Sequence, residues 1–235
     1  MDRALVAILG AVGAAVVVLA VGAIWLTADR GRSDVDLVPE PAVIAGVSVP
    51  AIDHDPAAAD DLVAAWERWR TATFVSIGTW TRTLDDRPDE PLTGDVYVAQ
   101  DPPRRLVTRL GAVVERQGDE VSACSPTEED VISPACLAGA GIGYEELVIR
   151  ELGLVRQYVS GDTRIYDIDR SDGGCFRAEL IGAALSSPWG RWAEYCFDAD
   201  TGALQSARVR RVSAIDTESA IQIRPDVTDE DFGGG

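Results

Sequence analysis

Apolar positions fall into two regimes along this chain. Residues 4 to 26, ALVAILGAVGAAVVVLAVGAIWL, form one unbroken apolar run without a charged or polar side chain. Beyond residue 56 they recur at short periods instead, first three and four residues apart, then two. At about 1.5 Å per residue, the first run as a helix covers the ~30 Å hydrocarbon core of a bilayer. It predicts a transmembrane anchor within residues 1 to 29. A cleaved signal peptide would have an apolar core of about 7–15 residues before a small-x-small site. Val21-Gly22-Ala23 offers such a site, but the run continues through Trp25 and Leu26. A lipoprotein signal would place a cysteine just after the run, and the first cysteine is Cys124. The expectation is an uncleaved anchor, with Trp25 at the headgroup level. Arg3 on one side and Arg30 and Arg32 on the other leave its orientation almost unmarked by charge.

Residues 30 to 56 read as a linker. Pro39, Pro41, Pro50 and Pro56 space it as an extended segment. Asp55 and Pro56 then start a helix, as an N-cap acceptor followed by proline in the first turn. Asp60 and Asp61 follow in the early turns, where they suit the helix dipole. Leu62, Trp66 and Trp69 recur at spacings of four and three, which makes one apolar stripe. A helix pressed on a sheet explains that stripe; two tryptophans lining a ligand cavity would explain it as well.

After Arg70 the period shortens to two. TATFVSIGTWTRTL, LTGDVYVAQ, RRLVTRLG, AVVERQG and DEVSAC are rich in β-formers and separated by turn signals, the first of them DDRPDEP. They predict an antiparallel meander. Residues 125 to 143, small and glycine-rich, predict a long apolar loop over one end of the sheet. YEELVIRELGL predicts a short helix. RIYDID, GCFRAELI, GRWAEYCFD, ALQSARVRRVS and TESAIQIR complete the strands, and DEDFGGG predicts a frayed acidic tail over residues 229 to 235. The fold class is therefore α+β: one domain over residues 57 to 228, a mainly antiparallel sheet on one or two helices.

Four cysteines, Cys124, Cys136, Cys175 and Cys196, lack any CxxC or Cys/His spacing, which argues against zinc. An even number in a tethered domain favours two disulfides and an oxidising compartment. This breaks the tie on orientation and sets the C-terminal domain outside the cytoplasm. One register tests the pairing. If Cys175 lies opposite Cys196, then Phe176 faces Tyr195, Arg177 faces Glu194, Ala178 faces Ala193 and Glu179 faces Trp192. Alternation then sorts the aromatic and small residues to one face and the charges to the other. Cys124 and Cys136 remain to clip the base of the loop.

Composition narrows the chemistry. All 21 basic residues are arginine; lysine and asparagine are absent, as a GC-rich genome would produce. The first 32 residues hold three arginines and two aspartates, which leaves the remainder near −19. Bulk charge of that sign excludes nucleic acid and anionic membrane surfaces as partners. No GxSxG, HExxH, P-loop or dinucleotide fingerprint occurs, and the single histidine, His54, lies in the linker. Asp198-Ala-Asp200-Thr-Gly202 lacks the distal glutamate of a calcium loop and reads as a tight turn. An enzyme, a cofactor and a metal site are therefore not expected.

The order of elements resembles the LolA-like lipoprotein carriers and the N-terminal domain of RseB-type anti-sigma-factor regulators. Three segments carry the resemblance: Pro103-Arg104-Arg105-Leu106-Val107 through Gly118-Asp119-Glu120-Val121, Gly161-Asp162-Thr163-Arg164-Ile165, and Tyr195-Cys196-Phe197-Asp198 through Thr201-Gly202-Ala203-Leu204. It implies an incomplete β-barrel wrapped on helices, with an apolar cavity for acyl chains or a peptide and no catalytic residues. The liners expected here are Trp66, Trp69, Phe74, Ile77, Leu137 and Ile142, with residues 131 to 143 as a roof. The implied function is a membrane-anchored extracytoplasmic module for a lipid or lipoprotein acyl chain. The alternative is an extracytoplasmic sensor or assembly protein that acts by contact with a membrane protein.

Overall fold

The computed structural model describes residues 53–124, 136–181 and 187–233. The anchor and all but the end of the linker lie outside them. Among the described residues no helix is long and apolar enough to cross a membrane.

Helix α1, Pro56–Thr71, starts as its sequence predicts: Asp55 accepts from the Ala57 amide at 2.9 Å, and proline fills the first turn. It ends at Ala72, whose backbone is already extended before the β-formers Phe74 and Val75. A first meander follows, with β1 Phe74–Leu84, β2 Arg87–Asp101, β3 Arg104–Arg109, β4 Ala112–Gln117, β5 Glu120–Cys124 and β6 Cys136–Ala140. Helix α2, Tyr144–Val159, leads to a second meander of β7 Tyr166–Ser171, β8 Cys175–Leu180, β9 Trp192–Phe197, β10 Leu204–Arg210 and β11 Ala214–Arg224. All pairings are antiparallel, and β1 pairs with β11. The two meanders thereby make one sheet in the order β6-β5-β4-β3-β2-β1-β11-β10-β9-β8-β7. This is an open antiparallel sheet on two helices, the α+β class that the periods predicted.

Four boundaries differ from expectation. The turn read into DDRPDEP is confined to Asp85 and Asp86; Leu84 already pairs with Arg87, so RPDEP belongs to β2. Residues 136 to 140 are not loop: they form β6, which continues the sheet by pairing with β5. Backbone bonding makes a strand there although the side chains are small. Helix α2 runs to Val159, because Leu152, Val155 and Val159 prolong its buried stripe. The tail is docked through Gly233. A 3-10 turn, Asp229–Phe232, is closed by a reciprocal capping box between Thr228 and Asp231. Its Phe232 packs on Val75 and Ala99, with the Arg104 guanidinium 4.0 Å from the ring centre.

Both disulfides join the predicted partners, Cys124–Cys136 and Cys175–Cys196. The β8–β9 register matches the predicted one at all four pairs from Phe176↔Tyr195 to Glu179↔Trp192. Arg177 has its ion pair with Glu179 on the same strand, 3.9 Å away, rather than with Glu194.

Candidate functional site

Strand registers divide the sheet into an inner face, toward the helices, and an outer one. Gln100 fixes the assignment. Its amide donates to the carbonyls of Trp69 at 2.6 Å and Ala72 at 2.8 Å, so it caps two of the carbonyls that α1 leaves open at its end. Its cross-strand partners therefore face the helices too.

The inner face of the second meander is filled with rings. Trp66 has Trp189, Tyr195 and Trp69 at ring-centre distances of 5.5, 5.2 and 5.2 Å. Trp189 also packs on Tyr166 and Tyr158, and Phe197 on Trp69 and Phe176. Polar ends inside this cluster are satisfied. The Trp66 indole donates to Glu151 at 2.8 Å. Tyr166 donates to the Gly190 carbonyl at 3.0 Å and accepts from the Trp189 amide at 2.9 Å. Burial pushes the Tyr166 phenol up to about 12 and raises Tyr195 further, so both stay neutral.

The inner face of the first meander is built differently. Registers line up Val98, Val107, Val114, Ala123 and Leu137 in one row across β2 to β6. Val98 is buried, the next three are half-buried, and Leu137 at the edge is 81% exposed. A parallel row holds Gln100, Arg105, Arg116, Val121 and Gly139. On the other side lie Val96, Arg109 and Ala112. A strip of apolar side chains thus runs between arginines, from the core to the sheet edge.

Each arginine has a distinct setting. Arg109 pairs with Glu218 and lies by the Trp80 ring. Arg116 donates to the Ile142 carbonyl at 2.6 Å, just before α2. Arg70, 3% exposed, reaches Glu151 at 3.0 Å, off the axis of its N–H, so the contact is ionic rather than a hydrogen bond. Tyr144 donates to the Arg70 carbonyl at 2.8 Å, with Gln100 Oε1 3.2 Å away. Arg105 sits with its guanidinium 6.0 Å from the Trp69 ring centre. Its Nε is shut off from solvent without a hydrogen-bond partner among the described residues. Burial, and then the charge of Arg70, pull its pKa down to about 10.

The expected liners separate accordingly. Trp66, Trp69 and Phe74 are buried on the inner face, the first two inside the ring cluster. Ile77 is not on that face: it pairs with Tyr97 and, 41% exposed, lies on the outer one. Leu137 belongs to the inner face as part of a strand rather than of a roofing loop, and Ile142 meets Arg116 through its carbonyl. Residues 131 to 135 of the expected roof lie outside the described residues. Sequence reading missed Val107, Val114, Arg105 and Arg116. The alternation Arg105-x-Val107-x-Arg109 is visible in the sequence. It does not say which face is inside, because Leu106 on the other face is apolar too.

A separate open cleft of about 430 Å³ is lined by Asp60, Val63, Ala64, Glu67, Arg156 and Ser160, between α1 and α2. It holds none of the expected liners. Asp198 accepts from the amide and hydroxyl of Thr201 at 2.8 and 2.7 Å, and Gly202 has φ +76°, the tight turn predicted. His54 accepts from the Ile168 amide at 3.2 Å.

No family model and no curated protein matches the chain. Solved structures of similar fold include a LolA superfamily protein from Nitrosomonas europaea, 10% identical, covering 74% of this chain and 96% of that one, with a TM-score of 0.31. The MucA/MucB complex of Pseudomonas aeruginosa is 14% identical over 76% of this chain and 61% of that one, TM-score 0.42. Lipoprotein LppX of Mycobacterium tuberculosis is 17% identical over 74% and 98%, TM-score 0.38. At these identities the likeness is one of fold.

Proposed function

We propose that this chain is a non-enzymatic binding module that holds an apolar ligand, a lipid or acyl chain, against the open half of its sheet. Residues 4 to 26 tether it to a membrane, with the β-rich domain on the extracytoplasmic side. The row Val98, Val107, Val114, Ala123 and Leu137 carries the reading. Five positions at about 4.8 Å per strand extend ~19 Å. One leaflet of a bilayer's hydrocarbon is ~15 Å thick, so one acyl chain matches that length. An apolar strip that passes from buried to exposed normally has a use. Two disulfides support an oxidising compartment.

The test is native mass spectrometry of the full chain taken from its own membrane in a mild non-ionic detergent. Adducts of lipid mass are expected, and Val114→Asp, which sets a charge in the middle of the row, should lose them. A wild-type mass free of adducts would overturn the reading.

A second reading has its own observation. All five residues of β6 are exposed, at the sheet edge. At the opposite edge β7 is partly covered: the Asp55 amide donates to the Ile168 carbonyl at 2.7 Å. A sheet edge with no further strand among the described residues can accept one from a partner protein. A clean mass together with a protein whose capture is lost on Leu137→Pro would favour this sensor or assembly role.

A further inference from the structure

We infer that the ligand is an anionic amphiphile, whose oxyanion head is held by Arg105 and Arg116 with Arg70 behind them while its chain follows the valine row. This rests on the binding-module reading and adds the charge of the ligand to it.

Charge sorting across the first meander comes first. From Val96 to Ala123 the inner-face positions hold three arginines and no carboxylate. The outer-face positions of the same stretch hold Asp101, Glu115 and Glu120, with Arg104 as their only arginine. The inner face of β7 to β10 holds no carboxylate either, so what sets the first meander apart is its three arginines, against Arg170 alone beneath the second.

The second observation is the cross-strand pair. Arg105 lies directly opposite Arg116. Like charges at that position destabilise a sheet. Arg70 adds a third positive charge, felt by both. The two carboxylates whose charge reaches Arg105 are already engaged, Glu151 by Arg70 and the Trp66 indole and Glu218 by Arg109. Arg116 spends one nitrogen on the Ile142 carbonyl. Arg105 has no ion pair and no side-chain hydrogen bond among the described residues, and its Nε is buried without a partner. A buried N–H without an acceptor is costly. An oxyanion there removes the cost twice, by satisfying Arg105 and by offsetting the repulsion from Arg116.

The third is adjacency. Arg105 and Arg116 are two residues along their strands from Val107 and Val114, so head site and chain site are neighbouring rows on one face. A small free anion would use the first row alone, and a neutral lipid the second alone. The Trp69 ring lies beside Arg105 at the head end, 6.0 Å from its guanidinium.

The experiment uses the full chain in non-ionic detergent and native mass spectrometry with two probes of equal chain length, oleate and oleyl alcohol, plus inorganic phosphate. Wild type should hold oleate about 10-fold more tightly than the alcohol, since one charge-assisted contact is worth roughly that factor. Arg105→Gln should bring oleate down to the level of the alcohol in the same variant, and Arg105→Lys should keep part of the difference. Arg116→Gln serves the same purpose if Arg105→Gln does not fold. Equal retention of both probes by wild type, or no effect of either glutamine variant on oleate, overturns the charge assignment and leaves the binding module standing. Retention of neither probe overturns the binding module itself. Thermal protection by phosphate equal to that by oleate would mean a small-anion site and would also overturn the amphiphile.

Discussion

The two meanders share one sheet, one alternation and one pair of helices, yet their inner faces have opposite characters. Beneath β7 to β10, Tyr166, Ile168, Phe176, Ala178, Ala193, Tyr195 and Val209 are buried, with Leu180, Phe197, Leu204 and Ala207 half-buried and Arg170 exposed around them. Beneath β3 to β5 only Arg116 is buried, and Arg105, Val107, Arg109, Ala112, Val114, Val121 and Ala123 remain half-buried. The difference lies in what the helices bring. α1 sends Trp66 and Trp69 among the rings of the second meander, while Tyr144 of α2, bonded to the Arg70 carbonyl, meets Gln100 of the first. A ring cluster thus fixes one half of a continuous sheet, and the half without one is where the proposed ligand would lie.

The sharpest way to break this comparison is to delete one side chain from each half. Trp66→Ala should cost about 3–5 kcal/mol, because its ring is surrounded by others that cannot close the gap. Val114→Ala, half-buried on the open face, should cost about 1 kcal/mol or less. Urea unfolding followed by far-UV circular dichroism measures both. Equal losses would mean that the first meander is a closed core, and the proposed site would vanish with the contrast.

The ring-cluster half was more legible in the sequence than the open half, for a physical reason. In the β8–β9 hairpin the charges, the rings and the cysteines agree on one register, so face and pairing are fixed together. The tryptophan stripe of α1 was visible through its helical period. In β3 and β4 both faces mix apolar and charged residues. Leu106 and Val107 differ only in where they lie, Leu106 beneath Phe232 from the far end of the chain and Val107 on the inner face. No local pattern contains that contact. β6 was missed because CLAGA has neither alternation nor bulk, and only its backbone bonds to β5 make it a strand. The docked tail was missed because DEDFGGG has the composition of a free end, and the capping box of Thr228 and Asp231 spans only four residues.

The disulfides sharpen the contrast next, since each meander has one. They close chain segments of 12 and 21 residues, for which loop entropy alone gives similar stabilisation, about 3 kcal/mol each. Their positions are not similar. Cys175 and Cys196 are buried and join β8 to β9 behind the ring cluster, whereas Cys124–Cys136 ties β5 to the exposed edge strand. Replacing Cys175 and Cys196 by alanine should lower global stability by about 2–4 kcal/mol. Replacing Cys124 and Cys136 should act locally: amide exchange speeds up in β5 and β6, protection in β8 to β10 stays, and the urea midpoint moves little. A global loss from the second pair as large as from the first would show that the two halves unfold as one.

The smallest effect expected is a pH response confined to the first meander's outer face. Asp231 accepts from the Thr228 amide at 2.8 Å and hydroxyl at 3.0 Å, and from Tyr97 at 3.1 Å, and it pairs with Arg224. These contacts, the Thr228 amide foremost, hold its carboxyl below the usual aspartate range. A group whose pKa is lower folded than unfolded contributes its stability above the unfolded value, ~3.9, and loses it as the pH falls through the folded one. The carboxylate must then protonate, the capping box opens, and Phe232 loses its anchor over Val75 and Ala99. Amide exchange at residues 228 to 233, and at Ala99 and Leu106 beneath them, should therefore rise on acidification from pH 5 toward ~3. Tyr166 and Tyr195 are neutral throughout that range, so nothing titrates at those two positions of the ring cluster and its protection should hold. Asp231→Asn at neutral pH should reproduce the change by removing the charge while keeping the size. Tail protection that survives acidification in wild type would show that Phe232 alone holds the segment. Loss of protection in β8 and β9 over the same range would show that the tail supports the whole sheet rather than the half it covers.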